Sequence, residues 1–286
     1  MLATQASHVA SNWIAQTRPL INAHLDEMLK PARPSPVMEA MRYSVLGPGK
    51  RIRPLLTLAV TDFLGVKPAG AMQVACAIEM IHAASLILDD LPCMDNDRER
   101  RDRLSTHAAY GEDLAILAAV SLLMQSHCVL ASHPLLAPEL RVKLIQLLCE
   151  TIGPHGLSLG QYIDLSSKTQ PASLAAITQI HHLKTGVLFV AAARAACLMC
   201  TASPEQEERV VRFTTNLGLA FQLKDDIADL DEASVNLASR MGASSAERTF
   251  HGYLQAAEAA IGGEENAVVL HDFARAFFTR HPMPAQ

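Results

Sequence analysis

The chain is 286 residues long, 50% hydrophobic and 19% charged, which bounds it to one large domain, or at most two, with a substantial core. Its 24 Lys and Arg against 29 Asp and Glu leave a net charge of −5, which argues against nucleic acid as the main ligand. Gly (14) and Pro (15) are near the average for folded proteins, so a disordered or collagen-like chain is excluded.

In chain order, the opening MLATQASHVASNW lacks a basic start followed by an apolar stretch, so no export signal is expected. Gly47-Pro48-Gly49 marks a turn before Lys50-Arg51-Ile52-Arg53-Pro54 and an apolar helix. Gln73–Leu88, Leu114–Leu130, Leu140–Gly153, Leu174–Thr201 and Glu205–Leu230 read as long helices with wide apolar faces. Short polar breaks separate them at Ser132–Glu139, Gly153–Gly156, Ser166–Ser173, Ser203-Pro204 and Gly262–Glu265. Pro204 with Glu205, Glu207 and Glu208 has the form of a helix start, acids facing the positive dipole end. Aromatics are only 5% and alternating β-branched runs are absent, so an all-α single domain over residues 1–286 is expected.

No uninterrupted apolar run is long enough to span a bilayer, since Ala115–Met124 is followed by Gln125 and His127, and Val187–Cys200 contains Arg194. The expectation is a cytoplasmic protein without stable membrane anchoring. Six cysteines (Cys76, Cys93, Cys128, Cys149, Cys197, Cys200) read as reduced thiols serving as small core residues. Cys197 and Cys200 form a lone C-x-x-C, better read as helix packing than as zinc or redox chemistry.

Charge is concentrated in two clusters. Asp89-Asp90 with Asp95, and Asp225-Asp226 with Asp229, each sit at the end of an apolar helical run. Like charges four residues apart repel, and anions late in a helix face the negative end of its dipole. One such pair reads as a solvated helix end; two call for cations, and Mg²⁺ takes one or two carboxylates plus water and phosphate oxygens. An EF-hand is excluded because Asp95-Asn96-Asp97-Arg98-Glu99-Arg100 lacks Gly at the sixth loop position. The run Arg98-Glu99-Arg100-Arg101-Asp102-Arg103, taken alone, is a salt-bridged surface segment. Combined with Lys50, Arg51, Arg53 and the acids, it describes a site for one or more diphosphates. His82 lies seven residues before Asp89, about two turns, on roughly the same side. His181-His182 reads as helix surface rather than metal site.

This combination resembles the all-trans isoprenyl diphosphate synthases of the short-chain polyprenyl type. Gly49-Lys50-Arg51-Ile52-Arg53-Pro54 is similar to the family's G-K-R-x-R-P, and Asp89-Asp90-x-x-x-x-Asp95 with Arg100-Arg101 to its first aspartate-rich motif. Gly160-Gln161-x-x-Asp164, Lys184-Thr185-Gly186 and Phe221-Gln222-x-x-Asp225-Asp226-x-x-Asp229 follow in the family's order. The resemblance implies an orthogonal helical bundle around a deep central cavity, usually as a homodimer. It implies Mg²⁺ held by Asp89, Asp90, Asp95 and Asp225, with Asp226 and Asp229 supporting. Arg100, Lys184, Thr185 and Gln222 would bind an allylic diphosphate, and Lys50, Arg53, His82 and Arg101 isopentenyl diphosphate. Gln161, Asp164 and Phe221 are further site residues of the matching motifs. In bacterial farnesyl synthases of this type an aromatic usually stands five residues before the first Asp. Ala84, followed by Ser85, stands there in this chain, so a longer product, geranylgeranyl diphosphate, is expected, with farnesyl diphosphate as the alternative.

The pattern departs from the family at Pro48, at Leu88, and at Asp102-Arg103-Leu104-Ser105 where Gly-x-Pro-Thr is usual. The segment Leu230–Asn236 is short, and no Lys follows Lys224. Two other classes compete. A non-catalytic partner subunit of a prenyl synthase should have lost one acidic cluster, and both stand here. A class I terpene cyclase normally mixes Asn, Ser or Thr and Glu in its second metal site and has no use for a second diphosphate pocket.

Overall fold

Helix ends fall where the sequence offers caps and turns. The computed structural model describes residues 2–167, 174–228, 237–263 and 265–278, and among them the only extended pairing is one bridge between Glu99 and Leu104. The helices are α1 (Leu2–Met28), α2 (Pro36–Val45), α3 (Ile52–Phe63), α4 (Ala71–Asp89), α5 (Thr106–Tyr110), α6 (Glu112–Ala131) and α7 (Pro138–Ile152). They continue as α8 (Leu157–Ser167), α9 (Leu174–His181), α10 (Val187–Cys200), α11 (Pro204–Ala228), α12 (Leu237–Met241), α13 (Ala243–Ile261) and α14 (Val268–Phe278). Ser35 caps α2 by accepting from the Met38 N–H, with Pro36 preset for the first turn. At α11 the Ser203 N–H donates to Gln206 Oε1 (2.9 Å) and the Gln206 N–H to Ser203 Oγ (3.2 Å). That reciprocal box starts the helix at the predicted Ser203-Pro204.

The run expected as one helix from Leu174 to Thr201 is broken in register: His182–Gly186 forms a π-helical turn between α9 and α10. Such a turn adds a residue to the helical circuit and re-aims the side chains on it. It carries Lys184 and Thr185. Part of the Ser166–Ser173 break, and Leu230–Asn236, lie outside the described residues.

One continuous core runs from Ile14 on α1 to Phe278 on α14. The sequence reading does not anticipate α1, whose interior Pro19 is a breaker by local rules; Ile21 and Leu25 are nevertheless fully buried, so packing overrides it. The bilayer expectation needs correction. By length and composition three helices could cross a membrane: Ala71–Asp89, Glu112–Ala131 and Ile177–Cys200. Isolated polar residues such as Gln125 or Arg194 do not cancel the mean apolar character of an 18-residue window. In the first and third the apolarity is core, since each window is 61% buried; in α6 only 33% is. There Ile116, Leu117, Val120 and Met124 stand exposed along one side.

The cysteine expectation also holds only in part. All six are free thiols, but Cys93, Cys128 and Cys149 are exposed while Cys76 and Cys197 are buried. Burial pushes the Cys197 thiol up to about 12 and Cys200 to about 11, as inert packing groups would show.

Candidate active site

The C-terminal end of α4 forms the first acidic wall. His82, Ser85 and Asp89 recur every three or four residues on its partly open side, whereas Ala84 is fully buried. The Asp89 carboxyl is pushed up to about 6, chiefly by burial; Lys184 opposes that shift and Asp95 adds to it. Asp90 is buried and accepts two bonds from Arg100 Nε, at 2.7 and 2.9 Å. The segment after α4 folds back on itself: the Asp95 N–H donates to the Asp89 carbonyl (2.9 Å) and the Arg100 N–H to the Arg103 carbonyl (2.7 Å). At its tip Arg101 and Asp102 have φ of 55° and 61°, a left-handed backbone that glycine would adopt without strain.

The π turn joins this wall to the second. Lys184 Nζ donates to Asp164 Oδ2 at 2.6 Å and reaches Asp95 Oδ2 at 3.5 Å. A Cβ on Gly160 would come within 2.8 Å of the Lys184 backbone nitrogen, so the glycine of Gly160-Gln161-x-x-Asp164 lets α8 close on the turn. One residue on, Thr185 Oγ1 donates to Gln222 Oε1 (2.9 Å), and Gln222 Nε2 donates to Asp226 Oδ1 (3.2 Å). Asp226, buried, also accepts from the Leu237 N–H at 3.0 Å, tying α12 to α11. Asp225 lies beside it, partly buried, and Asp229 lies outside the described residues. The two walls therefore meet across a single turn. Both amide atoms of Gln161 are buried without a partner.

A basic rim faces the walls. The Lys50 ammonium lies 5.6 Å over the Phe221 ring, Phe221 packs on Phe189 with centroids 5.6 Å apart, and Arg53 lies 5.1 Å over Phe189. Arg53 is buried with Nε unpartnered; burial pulls its guanidinium down to about 10 against the Glu79 charge. His82 is held well below the usual imidazole range by burial and by Arg53, Arg101, Arg51 and Arg100, so it is neutral. Arg101 Nη1 donates to the Pro48 carbonyl at 2.7 Å.

The reading of His181-His182 as surface holds for His182, which is exposed, and fails for His181. His181 Nε2 lies 3.5 Å from Asp226 Oδ2, and burial, the leading cause, keeps its pKa below the ordinary value. No local pattern distinguishes the two; the π turn decides which faces inward. The sequence reading also missed the buried Arg51–Glu79 pair.

Residues 34–249 match the profile of the polyprenyl synthetase family. The chain is 44% identical to the geranylgeranyl diphosphate synthase of Pantoea ananas over 212 residues, 73% of this chain and 70% of that protein. It is 41% identical to the chloroplastic geranylgeranyl pyrophosphate synthase 3 of Arabidopsis thaliana over 227 residues, spanning 78% of this chain but only 63% of that protein. The farnesyl diphosphate synthase of Geobacillus stearothermophilus is 39% identical over 211 residues, 73% and 71% of the two chains. Among solved structures, an apo FPP/GFPP synthase from Zymomonas mobilis superposes with a TM-score of 0.88 at 32% identity, covering 94% of this chain and 99% of its own. With the two acidic motifs linked through one turn of an all-α fold, these matches establish that the chain belongs to the polyprenyl synthetase family, as a prenyltransferase of the short-chain trans-isoprenyl diphosphate synthase kind.

Proposed function

We propose that the protein condenses isopentenyl diphosphate with an allylic diphosphate, head to tail and with magnesium, acting in the cytoplasm, and that geranylgeranyl diphosphate is its main product. The observation that carries this reading is the π turn, on which Lys184 reaches Asp95 of the first acidic wall and Thr185, through Gln222, the second. The donor chemistry suits Mg²⁺: hard carboxylate oxygens, one of them, Asp89, desolvated enough to be pushed up to about 6. Asp89, Asp90, Asp95 and Asp225 would hold the metal. Bound there, it would supply Lewis-acid neutralisation of the departing diphosphate.

The chain's own groups account for the rest. Arg100 and Lys184, paired with Asp90, Asp95 and Asp164, are the cations able to exchange those partners for the allylic diphosphate oxygens. Lys50, Arg53 and Arg101 bind the second diphosphate, with neutral His82 as a further hydrogen-bonding group. The allylic C–O bond breaks with its electron pair going to the leaving diphosphate, whose charge these cations stabilise. The isopentenyl double bond attacks the allylic carbon, forming the C–C bond, and a proton passes to the released diphosphate. Apolar helix walls keep out water that would trap the cation. The small Ala84 and Ser85 leave depth for a longer chain, and the names of the Pantoea and Arabidopsis relatives agree with that product. A second copy covering the exposed side of α6 would make the expected homodimer.

The test incubates purified protein with Mg²⁺, isopentenyl diphosphate and each allylic diphosphate, and measures chain length. Turnover that persists in EDTA would overturn the metal dependence; no product with any starter would overturn the activity. Ala84→Phe shortens the product. It also melts at a lower temperature if the ring overpacks, by about 1–3 kcal/mol, rather than enters the substrate channel. Unchanged product length removes the depth argument.

A further inference from the structure

The middle arginine of Gly49-Lys50-Arg51-Ile52-Arg53-Pro54 behaves unlike its neighbours. Its side chain and that of Glu79 on α4 are only 4% and 5% exposed, and Arg51 Nη1 donates to Glu79 Oε1 at 3.1 Å. Arg51 Nη2 donates to the Gly47 carbonyl and Nε to Asn22 Oδ1 on α1, both at 2.8 Å. All three guanidinium nitrogens are thus engaged within the protein. Its backbone is left-handed, φ 52°, an uncommon state for a residue with a Cβ, and the side-chain fork is what holds it there.

The turn it anchors carries the basic rim. A Cβ on Gly49 would meet Arg51 Nη1 and Arg101 Nη1, each at 2.8 Å, so two guanidiniums lie against this glycine. Arg101 clamps the same turn through the Pro48 carbonyl. Arg53 follows two residues on, with Nε unpartnered, and Glu79 Oε2 is likewise buried without a partner. A buried ion pair is weak evidence of stabilisation, because apolar replacements of similar volume are often neutral or better. Two orphaned atoms beside it make a purely structural role weaker still.

We infer that Arg51 and Glu79 are a positioning pair for the isopentenyl diphosphate pocket, fixing the turn that aims Lys50 and Arg53 and seats Arg101, without touching substrate. The inference rests on the functional reading above. It also gives α1, which lies before the matched family span, a part in the site through Asn22.

The test uses variants that leave net charge unchanged, so that Coulomb effects on an anion do not obscure geometry. The double variant Arg51→Met with Glu79→Met removes the fork as a neutral pair. Arg51→Lys keeps the charge but has no planar fork to hold three acceptors at once. Inorganic pyrophosphate is titrated calorimetrically in EDTA, where only the metal-independent cations can bind it, at a temperature where each variant is folded. Affinity should fall about tenfold in the double variant, the equivalent of one misaligned charged contact, and less in Arg51→Lys. KM for isopentenyl diphosphate should rise in parallel, with kcat and the allylic KM changing less than about twofold.

Wild-type-like pyrophosphate affinity in both folded variants would overturn the pair's role, as would equal rises in both KM values. So would a wild-type protein that binds no pyrophosphate in EDTA yet makes product with Mg²⁺, an outcome that spares the functional reading. Conversely, a wild-type protein that makes no product but whose pyrophosphate affinity drops in the variants sinks the functional reading and keeps the positioning one.

Discussion

The two acidic walls are built on different physics. On the first, carboxylates face cations: Arg100 grips Asp90, Lys184 reaches Asp95, and Asp89 is desolvated beside them. On the second, Asp226 accepts from the Gln222 amide and the Leu237 N–H, with the His181 ring 3.5 Å away. Under the proposed function the first wall would be an exchangeable set, its internal cations giving way to metal and diphosphate charges. In the second, Asp226 is a post that fixes α12 and presents its neighbour Asp225. Two motifs that look like echoes in sequence thus divide the work.

The widest separation should come from alanine at one position in each wall. Asp89→Ala is expected to cost about a thousandfold in kcat/KM. The metal-free melting temperature should stay level or rise, since a carboxyl with a raised pKa is one whose ionised form disfavours folding at neutral pH. Asp226→Ala should cost about 1–3 kcal/mol by orphaning the Leu237 N–H, and lower the melting temperature by several degrees. Equal losses of stability in the two variants would erase the distinction. Next in size, Lys184→Met, which unbinds the turn from Asp95 of the first wall and from Asp164 on α8, should lower kcat/KM for the allylic substrate about 10–100-fold. Thr185→Val, cutting the link to the second, should cost only a fewfold, and the reverse ranking would exchange the roles given to the two walls.

Smaller effects probe the rim of the first wall. His82 has a folded-state pKa well below its unfolded value of about 6.5, so the unfolded chain binds the extra proton as pH falls. Stability tied to neutral His82 is therefore present above about pH 6.5 and lost below it. Between about pH 7 and pH 5 the wild-type melting temperature should drop further than that of His82→Gln, and parallel curves would mean the imidazole is not held neutral. Smallest of all, Asp102→Gly should relieve left-handed strain of up to about 1 kcal/mol, seen as a rise of roughly 2–4 °C.

Much of the site is legible before folding because its chemistry is one of residue type and order. Asp89, Asp90, Lys50, Arg53 and Phe221 are legible in short runs, and the helix start at Ser203-Pro204 follows from capping that involves only neighbours in sequence. Where the reading falls short, long-range packing overrides a local rule. Pro19 is carried inside a helix by the burial of Ile21 and Leu25. His181 faces Asp226 while adjacent His182 faces outward. Three cysteines that match core composition lie on the surface.

Sequence alone determined the all-helical class, the pair of acidic clusters and the basic segments that answer them, because helix periodicity and charge are properties of neighbouring residues. Tertiary structure alone decided that the clusters meet at one π turn, that Arg51 turns inward to Glu79 while Lys50 lies over Phe221, and that Asp90 pairs with Arg100 while Asp226 accepts from the Gln222 amide. Those outcomes depend on contacts between residues as far apart as Lys50 and Phe221, whose approach is set by how the helices pack and not by any run of letters.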